Sequence, residues 1–249
     1  MKRLLPALLL VALILSGCHG SGENVFEPTD KGRKYTDHDW NLEFYDNCGL
    51  PTNRSVQWIK EDENKFIRFR LDTKHYGRCS SDRNARNKAP YWERAELKQV
   101  DSLKRGVGYK LEFHARFMEG YDGNREAFWQ IHSCSSRSCC RPPIIIKFND
   151  GVLMLSAIKP SGERSSNHIS SVKITDLLGK WSDIVLKFST NAFPKISLEL
   201  NQKTIFDKIR FTIPKCGIPH FKFGIYRPGS ASGTNQSIVD FDKIKLSLL

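Results

Sequence analysis

The chain lacks several features that mark common protein classes. Its longest apolar run, residues 4–15, is shorter than the roughly 20 residues that a membrane-spanning helix needs. No cysteine pair has the C-x-x-C spacing of structural zinc sites, and no helix-turn-helix, zinc-finger or RNP-type motif occurs. The chain also has no G-x-S-x-G run of serine hydrolases and no E-x-D-x-E run that could supply a glycosidase with paired carboxylates. These absences argue against a membrane-spanning protein, a zinc protein, a nucleic-acid-binding protein and two classes of hydrolase.

The N-terminus has the pattern of an export signal. Basic residues at positions 2–3 precede the apolar run, and small residues follow it. The tetrapeptide 15–18, L-S-G-C, resembles a bacterial lipobox, which implies cleavage before Cys18 and lipidation of its sulfur. Ordinary secretion, with Cys18 uninvolved, is the alternative. By the same resemblance, His19 in place of aspartate favours the outer membrane, facing the periplasm or the exterior.

One large domain accounts for the rest of the chain. Removing the signal peptide, residues 1–17, leaves 232 of the 249 residues and lowers the net charge from +12 to +10. Residues 18–37 are polar and Gly-containing, as expected of a lipidated tether, and residues 38–249 suffice for a single domain with a well-buried core, which we expect to be a monomer. A strongly basic exported protein meets polyanions outside the cytoplasm, where acidic polysaccharides are favoured over nucleic acid as partners.

Six cysteines remain beside the lipobox cysteine. An even number in an oxidising compartment predicts up to three disulfides, whose connectivity the sequence leaves open. A zinc site is the rival interpretation, but the spacing does not suit one. We predict no cofactor; a structural calcium ion stays open, although no acidic loop of EF-hand type demands it. The disulfide candidates are Cys48, Cys79, Cys134, Cys139, Cys140 and Cys216.

Short β-rich runs recur along the chain and are separated by Gly, Pro, Asn and Asp turns. Only Thr175 to Leu178 suggests a helical turn. About a dozen strands in one domain predict an all-β fold, a two-sheet antiparallel β-sandwich of jelly-roll type. The predicted strands are Ser55–Ile59, Lys65–Leu71, Arg94–Val100, Gly108–Phe117, Glu126–His132, Ile144–Phe148, Leu153–Ile158, Trp181–Ser189, Lys195–Leu200, Lys203–Ile205, His220–Tyr226 and Ile238–Leu248.

Three of these strands combine a polar face with an apolar one. Side chains two apart on a strand share a face, so polar groups form one surface while their neighbours enter the core. The predicted polar pairs are Arg94 with Glu96, Gln130 with His132, and Lys222 with Tyr226. The predicted core residues are Leu97, Ile131, Phe221, Phe223 and Ile225.

The three segments, R-A-E-L at 94–97, Q-I-H at 130–132 and F-K-F-G-I-Y at 221–226, resemble the motifs of jelly-roll alginate lyases. Residues 179–185 and 239–244 are closer to the heparin lyase I and glucuronan lyase group. This resemblance implies a concanavalin-like jelly roll that cleaves a uronic-acid-containing polysaccharide by β-elimination and leaves 4,5-unsaturated uronate ends. Ala95, Phe223 and the Arg227-Pro228 pair depart from the alginate lyase pattern, which argues against alginate as the substrate.

The resemblance also implies roles for the catalytic groups. The hydrogen at C5 of a uronate is a poor acid while the adjacent carboxylate is ionised, so Arg94 and Gln130 would stabilise charge on that carboxylate. His132, with an ordinary pKa near 6.5, can remove the proton at neutral pH. Tyr226, with an ordinary pKa of about 10, can protonate the departing glycosidic oxygen. Whether His132 or Tyr226 is the base depends on the stereochemistry of elimination, which the sequence leaves open.

Three further residues are assigned to substrate binding. Lys222 would add positive potential or hold the neighbouring sugar, Glu96 would orient Arg94, and Arg227 follows directly after Tyr226. A non-catalytic carbohydrate-binding lipoprotein of the same fold is the alternative. In that case Trp58, Trp92 and Trp129 are candidate stacking platforms, and the same polar groups are ordinary structural residues.

Overall fold

A computed structural model describes residues 34–35, 42–46, 55–72, 92–121, 123–133, 142–161, 165–214, 219–228 and 236–249. Fifteen β-strands and one 3-10 turn, Ile174–Asp176, make up the regular structure of these residues. The turn overlaps the helical turn that the sequence predicts. The strands are β1 (Lys34–Tyr35), β2 (Phe44–Asp46), β3 (Val56–Glu61), β4 (Asn64–Asp72), β5 (Trp92–Gln99), β6 (Gly108–Phe117), β7 (Glu126–His132), β8 (Ile144–Asn149), β9 (Val152–Ile158), β10 (Ser165–Lys173), β11 (Trp181–Ser189), β12 (Lys195–Leu200), β13 (Lys203–Arg210), β14 (His220–Pro228) and β15 (Gln236–Leu248).

The strands form two antiparallel sheets. The first sheet has eight strands in the order β1-β2-β5-β14-β7-β8-β9-β10, and the second has seven in the order β13-β12-β11-β6-β15-β4-β3. The two sheets bury one shared hydrophobic core. The predicted antiparallel β-sandwich of jelly-roll type is therefore confirmed.

Alternating side chains explain why these segments become strands of a sandwich. In β6, Tyr109, Leu111, Phe113 and Ala115 are buried while the residues between them are partly exposed. One side of the strand therefore enters the core and the other faces water. Each large apolar side chain buried in this way contributes about 1.5–3 kcal/mol.

Two edges of the first sheet lie outside the predicted strands. β1 falls within residues 18–37, the predicted tether, yet Tyr35 is buried in the core. β10 is a polar segment in which every second residue is exposed, and it pairs with β9. Both are edge strands whose place is set by backbone pairing rather than by an apolar pattern.

Several predictions concern parts of the chain outside the described residues. These are the signal peptide at 1–17 and most of the tether. No helix among the described residues is long and apolar enough to cross a membrane. The predicted lipidation and disulfides also stay predictions, because all the cysteines concerned lie outside the described residues: Cys18, Cys48, Cys79, Cys134, Cys139, Cys140 and Cys216.

The middle of β14 contains a β-bulge built on a glycine. The register between β14 and β7 shifts between Phe223 and Tyr226, and Gly224 has φ of +133°. A Cβ atom at Gly224 would lie 2.2 Å from the carbonyl oxygen of Ala95 and 2.8 Å from Cδ1 of Phe69. Only glycine allows the backbone to pass this close at such a φ, and the bulge sets which way the end of the strand faces.

We expect Gly224→Ala to lower the free energy of unfolding by about 2–3 kcal/mol, because the added methyl meets backbone and a core ring. Urea unfolding measures the change. Gly106→Ala is the matched control, since Gly106 also has a positive φ (+82°) but has no atom within 4 Å of its Cβ position. Equal destabilisation by both substitutions would show that the close contacts at Gly224 carry no cost.

Candidate active site

Three neighbouring strands in the middle of the eight-stranded sheet bring the three sequence motifs together. β14 lies between β5 and β7 and pairs with both of them. In this register Tyr226 lies opposite Arg94, and Lys222 lies opposite both Gln130 and Lys98. The antiparallel ladder therefore places side chains from distant parts of the chain within one or two strand spacings of about 4.8 Å.

The polar side chains share one face, as predicted. Leu97, Ile131, Phe221, Phe223 and Ile225, the residues between them, are buried in the core. The alternating residues therefore project from the opposite side of the sheet. We call this surface the polar face; it consists of Arg94, Glu96, Gln130, His132, Lys222 and Tyr226.

Two side chains pack against the ring of Tyr226. The guanidinium of Arg94 lies 4.2 Å from the ring centroid, in cation–π geometry. The indole of Trp92 stacks on the same ring with centroids 4.7 Å apart and planes 16° from parallel. The phenol is therefore oriented by groups on the neighbouring strand, which reduces the entropy lost when it reacts.

Glu96 links two of the predicted catalytic groups. Its carboxylate forms a buried ion pair with Arg94 and accepts a hydrogen bond of 2.5 Å from Nε2 of Gln130. Glu96 is 2% exposed and therefore hardly accessible to a substrate. Its role is to position Arg94 and Gln130. The hydrogen bond fixes the amide orientation of Gln130, whose Oε1 is buried without a hydrogen-bond partner.

Most of the polar face is desolvated. Arg94 and Lys222 are each 4% exposed and Gln130 is 1% exposed, whereas His132 and Tyr226 are half-buried. Electrostatic interactions are stronger in such surroundings than in water. His132 and Tyr226, to which the sequence assigns proton transfer, are thus the most accessible groups of the polar face.

The imidazole of His132 is held in its neutral form. Burial, together with the positive charges of Lys222, His220, Arg94 and Lys98, lowers the pKa of His132 from its ordinary 6.5 to about 2. A neutral imidazole can accept a proton without first losing one. A bound carboxylate would offset the nearby cations and so raise the pKa of His132 in the complex.

This pKa shift predicts how stability depends on pH. Because the folded-state pKa of His132 lies below the unfolded-state value, the unfolded chain binds the extra proton between about pH 6.5 and pH 2. His132 therefore makes no pH-dependent contribution above about pH 6.5, and it destabilises the fold increasingly as the pH falls below that value. Urea unfolding from pH 7 to pH 4 should show a smaller loss of stability for His132→Gln than for the wild type. NMR titration of His132 with an apparent pKa near 6.5 would contradict the prediction.

His220 is a component of the site that the sequence analysis leaves out. It lies directly opposite His132 in the ladder, is 5% exposed, and its ring centroid is 5.8 Å from that of His132. Alternation from Lys222 places His220 on the polar face. Its proximity to His132 depends on the cross-strand register, which the sequence does not reveal.

Arg227 does not lie on the polar face, contrary to the predicted role in substrate binding. It is fully buried on the core side of β14, where its Nε donates to Glu93 (2.7 Å) and its Nη1 donates to Glu126 (2.6 Å) and to Ser237 (2.9 Å). Burial opposes its charge, but Glu126 and Glu93 more than offset this and raise the pKa of Arg227. Arg227 therefore connects β5, β14 and β7 of the first sheet to β15 of the second.

Of the tryptophans considered as stacking platforms, only Trp92 lies beside the polar face, stacked on Tyr226. Trp129 is 1% exposed and belongs to the core. Trp58 lies on β3 of the other sheet, partly buried against the core and under the ammonium of Lys65 at 4.4 Å. Among the described residues, no group of three or more histidine, cysteine or carboxylate side chains could hold a metal ion.

A family model matches most of the chain. The model described as polysaccharide lyase matches residues 38–245. This range includes β5, β7 and β14. No protein of curated function matches the sequence.

Solved structures share the fold at low sequence identity. An endo-β-1,4-glucuronan lyase from the fungus Trichoderma reesei superposes with a TM-score of 0.59 and 13% identity, covering 78% of this chain and 87% of that chain. An alginate lyase from Pseudomonas aeruginosa gives a TM-score of 0.53 at 17% identity, with 79% and 87% covered. An alginate lyase of polysaccharide lyase family 7 gives 0.54 at 15% identity, with 77% and 82% covered. At these identities the likeness establishes the common fold.

Proposed function

The chain belongs to the polysaccharide lyase family, and we propose that it cleaves a uronate-containing acidic polysaccharide by β-elimination at the polar face. The family makes it a carbon–oxygen lyase acting on polysaccharides. The observation that carries the finer proposal is the register of β5, β14 and β7, which gathers Arg94, Gln130, His132, Lys222 and Tyr226 on one surface.

The first requirement of this reaction is to offset the charge of the uronate carboxylate, because removing the C5 proton places further negative charge beside it. Lys222 and Arg94 supply positive charge in largely desolvated positions. The second N–H of the Gln130 amide can donate to a carboxylate oxygen while the first stays on Glu96. Prearranged charges and donors of this kind stabilise a transition state at little reorganisation cost.

The second requirement is proton transfer at C5 and at the glycosidic oxygen on C4. His132 is neutral and half-buried, as a base needs to be. Tyr226 carries a phenolic proton and is oriented by Arg94 and Trp92. If the C5 proton and the leaving oxygen lie on opposite sides of the sugar, His132 removes the proton and Tyr226 donates one. If they lie on the same side, Tyr226 performs both transfers: it starts as the phenolate, takes the C5 proton and then donates that proton to the leaving oxygen.

Charge and the structural relatives support the proposed substrate class. The solved structures of this fold include enzymes named for glucuronan and for alginate, both polyuronates. The net charge of +12 favours any strongly acidic chain, so a sulfated glycosaminoglycan belongs in the same set. An exported, lipid-anchored enzyme, as the N-terminus predicts, would meet such polymers outside the cytoplasm.

Incubation with glucuronan, alginate and sulfated glycosaminoglycans tests the proposal. Cleavage is followed by the ultraviolet absorbance of the conjugated 4,5-unsaturated uronate, which hydrolysis does not produce. We expect absorbance to rise on at least one of these polymers. New reducing ends without this absorbance would indicate hydrolysis, and no reaction on any of them would overturn the proposed uronate substrate.

A further inference from the structure

Two cations lie along β7 and β8, on the side of the polar face away from β5. Lys147 is on β8, between the core residues Ile146 and Phe148, so its side chain projects from the same side of the sheet as Tyr226. Arg125 directly precedes β7 and is exposed. Arg125 lies close to Lys147, because Ala127, two residues after Arg125, pairs with Lys147.

Neither cation has a counter-charge among the described residues. No ion pair or side-chain hydrogen bond is formed there by Lys147 or Arg125, whereas Arg68, Arg116 and Arg227 are each bound to buried carboxylates. Burial and the charge of Arg125 lower the pKa of Lys147. Two like charges near each other, one of them half-buried, are unfavourable unless an anion offsets them.

The position of this pair relative to Tyr226 is set by the ladder. Tyr226 lies opposite Ala127, and Ala127 lies opposite Lys147, so all three belong to one cross-strand row. Two strand spacings place the backbones of Tyr226 and Lys147 about 10 Å apart, a distance comparable to the length of a disaccharide unit.

We propose that Lys147 and Arg125 form an anion subsite that binds a second acidic group of the polysaccharide whose uronate occupies the polar face. The inference rests on the proposed function. The polymer then runs across the strands from β14 towards β8. The spacing of its acidic groups lets one group occupy the polar face while another binds Lys147 and Arg125. The anion is a carboxylate or a sulfate ester, because both present charged oxygens to an ammonium and a guanidinium.

Steady-state kinetics of Lys147→Gln on each polymer that the wild type cleaves test the subsite. We expect KM to rise about tenfold while kcat stays within about twofold, because the lost contact is made equally in the ground state and the transition state. Lys195→Gln is the matched control, since Lys195 is an exposed lysine of β12 in the other sheet. Adding Arg125→Gln to Lys147→Gln should raise KM further.

A binding measurement separates failure of the subsite from failure of the proposed reaction. In the Tyr226→Phe background, polymer affinity is compared for Lys147→Gln and Lys195→Gln; weaker binding by the first alone supports the subsite even if no polymer is cleaved. KM and affinity equal to those of the Lys195 control would overturn it while leaving the lyase reaction intact. So would a loss confined to kcat, since Lys147 would then act in the chemistry.

The two sources of the anion are distinguished with heparin and heparin from which the sulfates have been removed. If Lys147→Gln weakens binding to both equally, the subsite binds the carboxylate. If it weakens binding to the sulfated form alone, the subsite binds a sulfate ester. Equal affinity of Lys147→Gln and Lys195→Gln for alginate, glucuronan and both heparins overturns the subsite for either anion.

Discussion

Tyr226→Phe should lower kcat on the cleaved polymer by about 10³-fold while KM changes by no more than about threefold. The substitution removes only the phenolic oxygen, and the ring can keep its contacts with Arg94 and Trp92. The leaving oxygen then has no proton donor at that position. Initial rates of unsaturated uronate formation, measured over a range of polymer concentrations, give both constants.

Tyr45→Phe is the control for loss of a phenol from the same sheet. Tyr45 lies on β2, opposite Lys98, whose ammonium is 5.4 Å from its ring centroid. The Tyr45→Phe variant should have a kcat within about twofold of the wild-type value, because proton transfer is assigned to Tyr226. Polymer binding by Tyr226→Phe should persist. If the protein only binds polysaccharide, the wild type will bind the polymer without cleaving it. Full activity of Tyr226→Phe would exclude Tyr226 as the proton donor.

Arg227→Leu should lower the free energy of unfolding by about 3–5 kcal/mol, a large part of the stability of a typical domain. Leucine fills much of the space but leaves Glu93 and Glu126 buried without the guanidinium that binds both. Urea unfolding followed by tryptophan fluorescence measures the change in midpoint at constant slope.

Two controls separate the ionic effect from the change of shape. Arg210→Leu makes the same substitution at an exposed position of β13 and should change stability by less than about 0.5 kcal/mol. Combining Arg227→Leu with Glu93→Gln and Glu126→Gln removes the orphaned charges and should recover part of the loss. Stability of Arg227→Leu equal to that of the Arg210 control would mean that the ion pairs contribute nothing.

The faces of β5, β7 and β14 could be predicted because strand periodicity is fixed at two residues. Arg227 follows the same periodicity, although the predicted role placed it at the substrate. The same alternation that puts Tyr226 on the polar face puts Arg227 in the core. Arginine is so seldom fully buried, however, that the residue type alone predicts a solvent-exposed position. Its partners Glu93 and Glu126 come from two other strands, and only the register brings them together.

The residues that the sequence analysis missed share a physical cause. His220 and Lys147 can be placed near the site only when the residues opposite them on other strands are known. A single sequence does not contain the order of strands in a sheet. β10 was missed because its polar sequence, S-S-N-H-I-S-S-V-K, has little apolar alternation. Gly224 is recognisable as a glycine within a strand, but the bulge it permits depends on the close approach of Ala95.

The central position of β14 also bears on how the protein opens. β14 has two strands on the β5 side beyond its immediate neighbour and three on the β7 side beyond its other neighbour, so fraying from β1 or β10 breaks other ladders first. Backbone amides of β14 should consequently exchange with solvent among the slowest in the molecule. Partial melting at either margin would then leave the reaction centre assembled, and catalysis should persist until the sandwich unfolds as a whole.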